Sequence, residues 1–254
     1  MKKIIALMLC LVLVLSFAAC TDTEAEPTDT ASETVAGTVE STDAGTEDDG
    51  AVTVMTYAEY AAAEIDAEVV IEAYVQATQS WWDNKITVYT QDQDGAYFIY
   101  ELACSEEDSA KLTKGTKIRV SGVKSVWSGE IEITDATFEF VDAEPWVAEA
   151  TDVTELLANE EELIKHQNKF VVFNGLTVEE ISYKNGEPGD DIYVTLSKDG
   201  TSYSFCVERY LTGPETEVYT AVGELAAGDV VNVEGFLYWY EGVNTHITAV
   251  SKAA

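Results

Sequence analysis

The chain has 254 residues, with 47 Asp and Glu against 14 Lys and Arg, and a formal charge of −33. So acidic a surface repels polyanions instead of exchanging counterions with them, which disfavours nucleic acid and anionic lipid and favours cations or basic protein patches. With two histidines and no Gly-x-Ser-x-Gly, His-Glu-x-x-His, P-loop or dinucleotide fingerprint, the sequence is poorly equipped for catalysis.

Met1-Lys2-Lys3 and the apolar run 4–15 have the charged start and short greasy core of an export signal, and are short for a bilayer span. The run closes in Ser16-Phe17-Ala18-Ala19-Cys20, which resembles the lipobox of bacterial lipoproteins, although Phe17 stands where an aliphatic residue is commoner. The resemblance implies a signal peptide over 1–19, acyl chains on Cys20 as the new N-terminus, and a membrane-anchored protein on the extracytoplasmic face. Two acyl chains suffice for stable anchoring. Residues 21–52 hold ten acidic side chains with no basic or aromatic ones, so the stretch 20–55 reads as a disordered, self-repelling tether. A neutral chain of that length would reach on the order of 30 Å. Losing Lys2 and Lys3 takes the charge to −35, of which −10 falls in the tether, −11 in residues 56–143 and −14 in residues 144–254.

From residue 56 the pattern changes. Thr56-Tyr57-Ala58-Glu59 is a capping box opening a helix. Alternating runs then predict strands over 69–76, 86–91, 96–102, 117–126 and 130–141, with Asp94-Gly95 as a tight turn and a short helix from 105. A second series follows: a helix from Thr154 through 166, then strands over 169–179, 191–198, 201–208, 229–240 and 243–251. Asp199-Gly200 is its tight turn, and residues 211–224 read as a looser connection. Tyr203, Phe205 and Val207 take one face of their strand, Ser202, Ser204 and Cys206 the other.

The two series are a repeat. Leu112-x-x-Gly115-x-x-Ile118-x-Val120-x-Gly122 matches Leu225-x-x-Gly228-x-x-Val231-x-Val233-x-Gly235, and Trp127-x-Gly129 follows at the spacing of Tyr240-x-Gly242. Gly122 and Gly235 suit a bend or bulge in a strand rather than a ligand contact. Five strands per copy, a helix or loop between the third and fourth, and this entry into the fourth resemble the OB-fold, a five-stranded Greek-key barrel. The whole is similar to tandem OB-fold lipoproteins of Firmicutes type. The expected fold is therefore all-β with short helices, as two barrels over 56–143 and 144–254.

An OB-fold implies ligand binding across strands two and three, flanked by the loops joining strands one to two and four to five. In the first copy that region holds Trp81, Trp82, Tyr89, Tyr97 and Trp127, an aromatic platform suited to a glycan or an envelope protein. Single-stranded nucleic acid is the alternative that fold analogy offers, and the charge opposes it. In the second copy Tyr238, Trp239 and Tyr240 occupy the four-five hairpin, where a core face must also be filled. A nuclease on an OB-like barrel needs converging arginines, and each copy has one, Arg119 or Arg209. No cofactor or metal is expected: Asp92-Gln93-Asp94-Gly95 and Glu187 to Asp191 suit turns, and neither continues into a glutamate-terminated calcium loop. Cys104 and Cys206 lie in different copies and read as two unpaired, partly buried thiols, His166 as a cation at a helix C-terminus, and His246 as a surface or satisfied side chain on a strand.

Overall fold

The computed structural model describes residues 53–253, so the export signal, Cys20 and the tether as far as residue 52 lie outside the described residues. All the described residues belong to one compact unit, Asp49–Ala254.

The chain enters through α1 (Tyr57–Ala62), whose capping box forms as the sequence predicts: Glu59 N donates to Thr56 Oγ1 (3.3 Å) and Thr56 N donates to Glu59 Oε2 (2.8 Å). Tyr60 from this helix enters the first core. The helix stops after two turns, and Lys124 satisfies its last carbonyls, with Nζ donating to the oxygens of Tyr60, Ala61 and Ala63 at 3.0, 3.1 and 2.7 Å.

Five strands follow, β1 (Glu68–Thr78), β2 (Lys85–Gln91), β3 (Ala96–Ala103), β4 (Lys117–Trp127) and β5 (Glu130–Phe140), with the short α2 (Glu106–Ser109) between the third and fourth. They close in the order β1-β2-β3-β5-β4, β4 returning antiparallel to β1 and β3 lying parallel to β5, which is the strand order of an OB-fold. The interior holds Val69, Ile71, Val75, Val88, Ile99, Ile118, Val120 and Ile133, alternate residues of their strands, as a pleat with one core-facing side requires.

β6 (Thr151–Asp152) and α3 (Glu160–Leu163) lead into β7 (Phe170–Tyr183), β8 (Ile192–Lys198), β9 (Thr201–Val207), β10 (Val230–Phe236) and β11 (His246–Lys252). These run in the order β10-β11-β9-β8-β7, with β6 beside β7, and β10 pairs again with β7, so the five longer strands form a second ring of the same order. Phe173, Leu176, Val194, Leu196, Phe205 and Val233 fill it.

The repeat has a common backbone cause. Gly115 N donates to Val75 O and Val75 N to Thr116 O, both at 2.8 Å, and Gly228 N to Val178 O and Val178 N to Asp229 O do the same at 2.8 Å. Gly115 (φ +91°) and Gly228 (φ +93°) turn the chain into strand four there, in a region that side-chain-bearing residues avoid. Gly122 and Gly235 sit at register shifts against strand five, where a Cβ on Gly122 would lie 2.7 Å from Ile133 and one on Gly235 would meet the His246 carbonyl.

Two expectations change. Residues 211–224 are not merely loose: α4 (Glu217–Gly223), capped by Thr216 Oγ1 accepting from Tyr219 N, buries Tyr219 and Val222. The helix expected from Thr154 through 166 is broken into a 3-10 turn at Thr154–Leu156, α3 capped by Asn159, and a second 3-10 turn at Ile164–His166. The two Asp-Gly turns also differ. Asp199 and Gly200 both take positive φ in a two-residue hairpin between Lys198 and Thr201, whereas at Asp94-Gly95 the Asp92 carboxylate accepts from both backbone N–H groups in a four-residue turn.

Candidate functional site

The five aromatic residues singled out in the sequence part company in the fold. Trp82 is 69% and Trp127 61% exposed. Trp81 packs against the first core with its indole Nε1 donating to Cys104 O (2.9 Å), fixed by the small hairpin in which Trp82 pairs with Lys85. Tyr97 is 1% exposed and points into the first barrel, edge-on to Tyr57 and Tyr60, because on β3 it shares the inward parity of Ile99. Tyr89 does point outward from β2, yet it too is 1% exposed. The expected platform is therefore not assembled, since two of its five members are interior.

What covers Tyr89 is the second ring. Its phenol stacks on Phe236 (4.5 Å between centroids, 24°) and lies near Phe98, which meets Tyr238 at 5.3 Å. Such pairs each contribute about 0.5–1.5 kcal/mol beyond area burial. Gln79 Nε2 donates to Tyr89 Oη (3.1 Å), and Oη lies 2.6 Å from His246 Nδ1. Burial holds the imidazole neutral, its pKa pushed down to about 3, so Nδ1 is free to accept the phenolic proton. Polar contacts ring this aromatic cluster: Gln91 Oε1 accepts from Phe170 N (2.8 Å), Tyr210 O from Ser80 N (2.8 Å) and Ser128 O from Glu241 N (2.7 Å). Every residue of β2 after Lys85 is buried, on both sides of the strand. The ligand face that an OB-fold would present here is occupied by the chain's own second half.

The equivalent face of the second ring is open. On β8, Ile192, Val194 and Leu196 are buried in the core while Tyr193 is 39% exposed and Thr195 and Ser197 are half-buried. Pairing sets Tyr193, Thr195 and Ser197 opposite Cys206, Ser204 and Ser202 on β9, and opposite Ser182, Glu180 and Thr177 on β7. The result is a three-strand lattice of six hydroxyls and one phenol, with the Glu180 carboxylate in its β7 row and the buried Cys206 thiol in its β9 row, and Ser202 Oγ donates to Glu179 Oε2 at 2.6 Å. At its end Lys184 donates to Asp191 Oδ2 (2.8 Å). Sequence alternation had marked Ser202 and Ser204 as one face, and Tyr193 follows the same parity from β8, so the signal was there without its significance.

Reactive groups are damped. The Cys206 thiol is pushed up by burial, with Asp191 and Glu208 adding to it, which is the opposite of activation. Cys104 is raised too, by burial first, and donates weakly to Ser105 O (3.3 Å). Both thiols are free and buried. Of the two readings of His246, the satisfied side chain holds and the surface one does not: it is buried, with Nδ1 2.6 Å from Tyr89 Oη. His166 sits in the last turn of the second 3-10 segment, as the sequence suggested, and burial lowers its pKa. Among the described residues no three His, Cys, Asp or Glu side chains gather into a metal cluster.

No protein-family model and no curated protein sequence matches the chain. Similar solved structures include a murine DNA binding protein bound with ds DNA, at 13% identity and a TM-score of 0.36 over 73% of this chain and 96% of that one. The Ifi202 HINa domain in complex with 20bp dsDNA gives 11% and 0.35 over 73% and 98%. A wild-type single-stranded DNA binding protein from Thermus aquaticus gives 11% and 0.25 over 75% and 95%. At such TM-scores the likenesses decide neither ligand nor activity.

Proposed function

We propose that this protein is a non-enzymatic binding module of the cell envelope, lipid-anchored through Cys20, built of two tandem OB-fold domains (56–143 and 144–254), and that it takes an uncharged glycan on the outer face of β7, β8 and β9. The observation that carries this reading is the asymmetry of the two barrels: β2 is buried on both sides, whereas β8 alternates between core and solvent. The open face suits a sugar. Its rows of Ser and Thr offer donors and acceptors together, Tyr193 offers a ring surface, and Glu180 within the β7 row and Glu179 beside it repel phosphate.

Single-stranded nucleic acid is the second reading, since OB-folds commonly bind it. One titration separates the two. The protein without residues 1–20 is titrated with neutral oligosaccharides and with single-stranded oligonucleotides at two salt concentrations. Saturable, salt-insensitive oligosaccharide binding, weakened about tenfold or more by Tyr193→Ala, is the expected result. Binding of oligonucleotide that falls steeply with salt would replace the glycan reading with the nucleic-acid one. Loss of binding in Trp82→Ala or Trp127→Ala, with Tyr193→Ala unaffected, would return the site to the exposed tryptophans of the first barrel.

A further inference from the structure

We infer that Glu130 is a proton-operated latch: as the neutral acid it holds the second barrel against the first, and its ionisation releases the cover from the β2–β3 face. Glu130 opens β5, next to the Ser128-Gly129 turn, and is 0% exposed. Its Oε2 accepts from Trp239 N (2.8 Å) and Gln167 Nε2 (3.0 Å), both donors from the second half of the chain. Gln167 Nε2 also donates to Gly129 O (2.9 Å), and Asn168 Nδ2 to Ile131 O (2.9 Å), so this carboxyl lies at the centre of a polar seam between the two parts. Its other oxygen, Oε1, is buried without a partner.

That arrangement fits one protonation state. In the neutral acid Oε2 is a carbonyl oxygen receiving two donors and Oε1 carries the proton, so one O–H goes unpaired but no charge is buried, the smaller of the two costs. In the anion, negative charge spreads onto an oxygen that no protein donor meets, and the cheapest relief is to part Gln167 and Trp239 from the turn and expose the carboxylate to solvent. Burial holds the carboxyl up at about 8, with the Glu132 charge adding to it and the bonds from Trp239 and Gln167 opposing. The other titratable groups that feel its charge are Glu132 on β5, Tyr60 on α1 and Tyr238 before Trp239, and His166 adjoins Gln167 in the chain. Burial raises Glu132 and both phenols, and it lowers His166, so none of them brings a compensating positive charge as pH rises from 6 to 9. Parting the seam uncovers Tyr89 and Phe98, the aromatic face that an OB-fold would offer to a ligand.

The test uses the chain without residues 1–20, followed from pH 6 to 9 by tryptophan emission and by binding of an apolar fluorescent dye. The expected result is a reversible rise in dye binding with a midpoint near pH 8, in wild type and in the control Glu208→Gln, and a flat response in Glu130→Gln. An unchanged transition in Glu130→Gln, or a flat wild-type response, would overturn the latch. Carbon-13 titration of the Glu130 carboxyl in the unmodified protein keeps the question open to refutation even if Glu130→Gln fails to fold. A carboxyl midpoint coincident with the emission change supports the latch, and ionisation complete below pH 6 overturns it.

Discussion

Tyr89 shows what one side chain contributes when it serves two halves of a chain. Its ring packs on Phe236 and Phe98, and its hydroxyl accepts from Gln79 while facing His246. Tyr89→Phe keeps the ring, strands the buried His246 Nδ1 and leaves the half-buried Gln79 without its acceptor, a loss of about 1–3 kcal/mol. The urea midpoint should fall with the slope unchanged, and an unmoved midpoint would mean that the hydrogen bond adds nothing net. The outward direction of Tyr89 was legible in the sequence, because Ile86 and Val88 claim the inner face of β2. What lies over it was not legible, since covering residues such as Phe236 and His246 come from about 150 positions away and no local pattern encodes that meeting. Tyr97 was misplaced for a different reason: Ala96-Tyr97-Phe98-Ile99-Tyr100 is apolar at every position, so alternation gives no parity there. Lys124 is a third case, one of three cations on β4, and nothing local in the sequence marks it as the residue that closes the end of α1.

At the scale of elements, sequence reading succeeded at several places where a turn or cap supplies its own chemistry. The capping box at Thr56, the tight turn at Asp199-Gly200 and the repeated entry into strand four all appear where their residues demand them. α4 escaped because Val218, Thr220 and Val222 are β-branched and weak helix formers, and burial of Tyr219 and Val222 overrides that preference. The two repeat glycines can be told apart by experiment. Gly228 has positive φ and open space around it, so Gly228→Ala should cost about 1 kcal/mol of backbone strain. Gly235 abuts the His246 backbone, so Gly235→Ala must push β10 and β11 apart and should cost more, about 2–4 kcal/mol, with the larger drop in melting temperature. Equal costs for the two would contradict this division of roles.

Across the whole molecule, the buried carboxyls set the response to pH. Glu130 is raised to about 8 and Glu208 to about 7, both chiefly by burial, against an ordinary value of 4.5. Each is protonated in the folded chain and ionised in the unfolded chain between those values, so folding takes up protons and stability falls as pH rises through that window. Mutual repulsion among acidic side chains, strongest when all are ionised, acts in the same direction. The melting temperature should therefore be higher at pH 5.5 than at pH 8.5, and the difference should shrink in Glu130→Gln. A melting temperature that rises with pH over this range would contradict the assignment.

The seam between the barrels also bears on how the protein is handled as material. Cutting the chain between β5 and β6 looks natural on the repeat, yet the piece ending near residue 143 would carry Tyr89 and Phe98 bare to water in place of their cover of Phe236 and Tyr238. A patch of aromatic rings on a small, half-stripped barrel invites self-association. Cut out alone, the first repeat unit is expected to be less soluble than the whole chain. A piece keeping both halves of the chain is therefore expected to be the better-behaved one, and an insertion or fusion is better placed at the exposed turn around Gly186, where an added side chain would meet nothing, than at the boundary between the copies.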